Sequence, residues 1–226
     1  MESIKLNDWN AVSDYIDDGW YSNIKASWFE HIIQHQGMYP RDAFTKGQLA
    51  SKCWLLQNLD CGMIHPNETI AILGSWIGAL VEPLINTIEC GRVYGLDQDA
   101  KSIELSERLN QKHVENSWKY KGVVADVSML QTCNMEFETG GELISVRPEM
   151  VINTSCEHMN NDWFDTADGE QLIVMQSNNS SEFEGHINIC EDIEHFKIKY
   201  PLTRTLYVGE LETPAYTRFM QIGYKK

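Results

Sequence analysis

An α/β fold, with a mostly parallel sheet, helices on both faces and an antiparallel C-terminal hairpin, is what these 226 residues predict. Three observations lead there. From Thr69 to Gln176, short apolar runs alternate with helical patterns, an order that builds parallel strands joined by crossovers. Thr69-Ile-Ala-Ile-Leu73 runs into the glycine turn Gly74-Ser-Trp-Ile-Gly78, and Val93-Tyr-Gly-Leu-Asp97 ends on a carboxylate. Near the C-terminus, Thr205–Glu210 and Tyr216–Tyr224 are two strand-like runs joined by a short connection with Pro214, which reads as a hairpin.

Residues 1–60 are aromatic-rich and expected to be mainly helical. In Ile24–Gln36, Trp28, Phe29, Ile32 and Ile33 fall at helical spacing ahead of Gly37, and Leu49, Trp54, Leu55 and Leu56 do the same within Gly47–Leu59. The loop Asp60–Pro66 then separates an N-terminal helical extension, 1–66, from the sheet unit, 67–226. Strands are expected at Thr69–Leu73, Val93–Asp97, Gly122–Asp126, Met150–Thr154 and Gln171–Gln176, with helices between them. The clearest of these helices is Ala100–Lys112, for which Asp99 is the better-placed cap.

Composition sets limits. With 42% hydrophobic and 23% charged residues, the chain has the balance of an ordinary globular protein with one core. No run reaches the length of a membrane span, and Met-Glu-Ser-Ile-Lys-Leu lacks a signal-peptide layout, so a cytoplasmic protein is expected. The six cysteines show no CxxC spacing, which indicates neither a disulfide framework nor a zinc site. His31 and His35, beside Glu30, share a helix face but lack a third ligand, so no metal ligand set is assigned. A net charge of −15, with Arg147 the only Lys or Arg between Leu130 and Phe196, disfavours duplex nucleic acid as a partner. The oligomeric state is left open.

The glycine turn lets a ligand approach bare backbone, and an acid at the tip of the second strand can accept hydrogen bonds from ribose hydroxyls. A parallel sheet closed by an antiparallel hairpin, with Gly74, Gly78 and Asp97 in these places, resembles the class I S-adenosylmethionine-dependent methyltransferases. Pieces such as Gly47–Lys52, Asn153–His158 and Tyr216–Gly223 also look like a phage-encoded branch of them. The resemblance implies a Rossmann-like fold over Thr69–Lys226 and S-adenosylmethionine as cofactor.

Residue by residue, it implies that Gly74 and Gly78, with Ser75, pass beside the cofactor's methionine end. Trp76 replaces the family's middle glycine, and either points into the helix layer or walls the methionine pocket. Asp97, with Gln98 beside it, would hold the ribose. Asp126 and Val127 would meet the adenine, unless Asp126 only closes a turn. Lys46, Gly47 and Gln48, at a helix N-terminus, would bind the cofactor carboxylate.

Asn153-Thr-Ser-Cys-Glu-His158 occupies the place of the family's reactive-centre motif, without the two prolines and aromatic of amino-group methyltransferases. Asn153 would contact cofactor, Glu157 and His158 would take a proton from an attacking O or N atom, and Trp163 and Arg218 would line the substrate pocket. Cys156 lacks the preceding proline of a cytosine-C5 nucleophile. The expected activity is methyl transfer to a small or medium polar molecule, or to an accessible amine on a larger partner. A nucleic-acid methyltransferase would need a basic track, for which Arg41, Lys46, Lys52, Lys119, Lys121, Lys197, Lys199 and Lys225-Lys226 are the available cations. A nicotinamide-dependent oxidoreductase and a non-catalytic module of the same fold are the other rivals.

Overall fold

The computed structural model describes residues 3–5, 38–59, 63–115, 118–139 and 141–225. The helix expected over Ile24–Gln36, with His31 and His35, lies outside them. Among the described residues, strands β1 (Ser3–Lys5), β2 (Thr69–Leu73), β3 (Arg92–Asp97), β4 (Tyr120–Val124), β7 (Met150–Asn153), β8 (Leu172–Asn178), β9 (Arg204–Glu212) and β10 (Thr217–Tyr224) form one sheet. Their order is β1-β9-β10-β8-β7-β2-β3-β4. β10 runs antiparallel to both β8 and β9, and every other pairing is parallel. The helices are α1 (Lys46–Asn58), α2 (Val81–Thr87), α3 (Ala100–Leu109), α4 (Gln111–Glu115), α5 (Asp162–Asp165) and α6 (Ile193–Lys199).

Alternation along each central strand divides the core in two. Ile70 and Ile72 of β2 join Trp54, Leu55 and Leu56 of α1 and Leu84 of α2 on one face. Ala71 and Leu73 face the other way, toward a layer with Trp163, Phe164, Phe196 and Tyr200. The two-residue period of an extended chain thus demands a cover on each side. The Trp54 indole donates to the Tyr207 hydroxyl at 2.9 Å, tying α1 to β9. As expected, Asp99 caps α3, its carboxylate accepting from the amides of Lys101 at 3.0 Å and Ser102 at 3.1 Å.

Two parts depart from expectation. The connection from β4 to β7 carries no helix beyond a 3-10 turn, Val127–Met129. It forms instead a separate hairpin, β5 (Met135–Thr139) with β6 (Glu142–Val146). Met135, Phe137 and Val146 cover the sheet where a helix was expected, while Glu136 and Glu138 face outward. The signal was present in the alternation Met135-Glu-Phe-Glu138 and in the Gly140-Gly141 pair. The N-terminal region is not wholly helical either, because Ser3–Lys5 pairs in parallel with Glu210–Glu212 at the sheet edge. Among the described residues, no helix is long and apolar enough to cross a membrane.

Candidate active site

β2 sits between β3 and β7, where the strand order reverses, and such a reversal opens a crevice at the C-terminal strand ends. A cavity of about 570 Å³ lies there, reached by Gly74 after β2, Asp97 ending β3, Asp126 after β4 and Thr154 after β7.

The turn after β2 is held by backbone geometry. Gly74 has φ +62°, and a Cβ on it would stand 3.0 Å from the Met159 methyl and 3.6 Å from Ser155 Cβ. Glycine therefore lets the Met159 and Ser155 side chains close on the turn where it meets the cavity wall. The Ser75 amide donates to Leu96 O at 2.9 Å, and the Trp76 amide to Asp97 Oδ2 at 2.9 Å. Trp76 itself adopts φ +49°, a conformation that costs a side-chain-bearing residue roughly 1–2 kcal/mol. Its indole packs on the cluster of Tyr39, Leu49, Leu105 and Leu109, and the residue also walls the cavity. Trp76 thus packs into the helix layer and lines the cavity as well.

Gly78 corrects the expectation that it would touch a cofactor. It is buried outside the cavity at φ +68°, where a Cβ would meet Ser106 Oγ at 2.1 Å and Asn110 Nδ2 at 2.8 Å. Its carbonyl accepts from Asn110 Nδ2 at 3.0 Å, so it sets the approach of α3 to the turn.

Asp97 is fixed on both sides. Besides the Trp76 contact, its Oδ1 accepts from the Asp99 amide at 3.0 Å. Gln98 lies beside it on the cavity wall. Asp126 caps the 3-10 turn through Oδ1, accepting from Ser128 N at 2.9 Å and Ser128 Oγ at 2.7 Å, and with Val127 also lines the cavity. Lys46 and Gly47 open α1, with the Gly47 Cα facing the Tyr216 hydroxyl, while Gln48 and Lys52 reach the cavity. Lys52, which sequence reasoning did not select for the cofactor, donates to Gln48 Oε1 at 3.0 Å. Burial, reinforced by the nearby Arg218 guanidinium, pushes its ammonium down to about 7.

At the other end of the cavity, two expectations need correction. Asn153 is fully buried and absent from the cavity wall. Its Oδ1 accepts from Ser155 N at 2.9 Å and its amide meets Met159 Sδ, so it shapes the loop from within. Trp163, 1% exposed, packs on Phe164 and Tyr200 in the core and lines no pocket. Glu157 is buried, with Oε1 accepting from Asn178 Nδ2 at 2.7 Å and pairing with Arg218 Nη2 at 3.5 Å. Its Oε1 is thus committed to Asn178 and Arg218.

Arg218 is 4% exposed, reaches the cavity and donates to Thr154 O at 2.9 Å. Nδ1 of His158 lies 3.2 Å from Gly185 O, and a carbonyl only accepts, so Nδ1 carries the hydrogen and Nε2 keeps its lone pair. Burial lowers the pKa of this imidazole, against the pull of Glu157, which favours that neutral form. Cys156 is fully buried and burial pushes its thiol well up, so it offers no thiolate.

This strand order and crevice define the class I S-adenosylmethionine-dependent methyltransferase fold, as expected from the sequence. Solved structures share it. Magnesium protoporphyrin IX methyltransferase (ChlM) from Synechocystis PCC 6803, with bound SAH, superposes with a TM-score of 0.55 at 14% identity, covering 97% of this chain and 100% of its own. Geranyl diphosphate C-methyltransferase from Streptomyces coelicolor A3(2) gives 0.56 at 12% identity, covering 79% and 81%. N-methyltransferase NodS from Bradyrhizobium japonicum WM9 gives 0.55 at 12%, covering 81% and 98%. No family model and no curated protein matches the sequence.

Proposed function

We propose that this chain transfers a methyl group from S-adenosylmethionine to an oxygen or nitrogen atom of a small or medium-sized polar molecule. The observation that carries the reading is that the Gly74 turn and Asp97, at the ends of two adjacent strands, line one cavity. One Asp97 oxygen is bonded to the Trp76 amide and the other to the Asp99 amide. A carboxylate has about four acceptor positions, so about two remain for a pair of ribose hydroxyls.

Asp97 would hold the ribose, Asp126 and Val127 the adenine, and the Gly74-Ser75-Trp76 turn the methionine portion. Lys52, with no carboxylate partner among its hydrogen bonds and Gln48 beside it, suits the ligand's carboxylate. When bound, S-adenosylmethionine supplies an activated methyl carbon on a sulfonium. The chain's work is then to align an acceptor and manage its proton. His158 Nε2 is the lone pair available at that end. Glu157 Oε1 is engaged by Asn178 and Arg218.

Isotope-labelled S-adenosylmethionine incubated with the protein and a polar metabolite extract, read by mass spectrometry, tests the proposal. A labelled product that forms only with active protein supports it. Absence of product, with S-adenosylhomocysteine bound, would reduce the chain to a nucleoside-binding module.

A further inference from the structure

Beside the cavity, one carboxylate oxygen of Glu157 and one ring nitrogen each of His158 and His186 lie within 4.8 Å of one another. We propose that this trio binds a divalent transition-metal ion of the zinc class, through His158 Nε2, His186 Nε2 and Glu157, with its remaining positions open to the cavity.

Both imidazoles are already set as ligands. His158 Nδ1 donates to Gly185 O at 3.2 Å, and His186 Nδ1 to Ser180 O at 2.6 Å. A metal-binding histidine commonly donates its second nitrogen in this way, which fixes the tautomer and aims the free lone pair. The rings stand edge to face with centroids 4.6 Å apart.

Glu157 supplies an independent sign. It is 2% exposed; Oε1 is taken by Asn178 and Arg218, while Oε2 is buried without a hydrogen-bond partner. A buried carboxylate oxygen with nothing to accept from is costly, and a cation satisfies it.

The backbone holds the two loops in register. Ile187 N and Asn188 N both donate to Glu157 O, at 2.9 and 3.0 Å. Asn188 Nδ2 donates to Met159 O at 2.7 Å and Asn161 Oδ1 at 2.9 Å. His186 is thereby stapled to the 3-10 turn that carries Glu157 and His158. Ligands about 2.0–2.1 Å from an ion stand roughly 3.3 Å apart at tetrahedral angles. Ligand atoms that lie within 4.8 Å of one another stand at most ~1.5 Å from that spacing. Two imidazoles and one carboxylate favour zinc, cobalt or nickel over magnesium or calcium, and three ligands leave positions for a further molecule. Since Glu157 and His158 line the cavity, that molecule would be whatever occupies its acceptor end. The site needs nothing from the methyl-donor reading, and with the ion bound His158 Nε2 serves as its ligand in place of a proton acceptor.

Zinc titration of the full chain, followed by dialysis and measurement of metal content, tests the assignment, with cobalt absorption reporting the ligand field. One zinc per chain is expected to be retained. His186→Ala and His158→Ala should weaken binding on the order of a hundredfold or more, and His195→Ala, a histidine on α6, should leave it unchanged. Thermal melts of each variant check folding. Zinc lost on dialysis from the wild type, or bound equally by His186→Ala, overturns the site. S-adenosylhomocysteine affinity, unchanged in His186→Ala, keeps this result separate from the donor reading.

Discussion

Replacing Asp97 by alanine should weaken S-adenosylhomocysteine binding by a factor on the order of a hundred to ten thousand. Asp97 oxygens spend one position each on Trp76 N and Asp99 N. The remaining two can accept from the ribose. Hydrogen bonds to a charged group contribute about 1.5–3 kcal/mol each, so losing two removes roughly 3–6 kcal/mol, which is that factor in Kd. The substitution also releases the Trp76 amide, so Asp99→Ala serves as a control. It removes the α3 cap, costing about 1 kcal/mol of stability, while leaving ribose acceptors in place. Calorimetric titration of both variants separates the two effects. An Asp97→Ala protein that binds within threefold of wild type, while Asp99→Ala does the same, would refute the ribose assignment.

Gly78→Ala should destabilise the fold by about 2–3 kcal/mol or more in chemical denaturation, because the new Cβ meets α3 and φ is positive. Arg218→Met strands Glu157 as a buried charge, and should cost about 3–5 kcal/mol by the same measurement. Lys52 titrates near 7, so it is largely neutral at pH 8 and charged below pH 6. An anionic ligand stabilises the charged form and raises its pKa. Binding at pH 8 should therefore take up close to one proton, binding below pH 6 almost none, and Lys52→Met should abolish the difference. Titrations in buffers of unlike ionisation enthalpy measure it.

Local patterns carried most of the fold. The apolar runs around Thr69, Val93, Met150 and Leu172 are buried strands, and Asp99 caps α3 as its spacing suggested. That Asp97, Asp126 and Gly74 would gather at one crevice was legible because a strand end fixes where the next few residues point. What escaped depends on contacts distant in sequence. His186 meets His158 only through a loop stapled to Glu157 O, and Lys52 reaches the cavity only because α1 packs on β2. Position near the reactive loop misled for Trp163, whose indole the core claims, and for Asn153, whose amide turns inward. Gly78 has the right spacing for ligand contact, yet its backbone serves the packing of α3.

The most direct trial of the donor assignment is a titration of the unmodified protein with S-adenosylhomocysteine, followed by thermal unfolding. Saturable one-to-one binding is expected, raising stability by about 2.7 kcal/mol when free ligand reaches a hundred times Kd. An unfolding curve unmoved by millimolar ligand, with no heat on mixing, would contradict it.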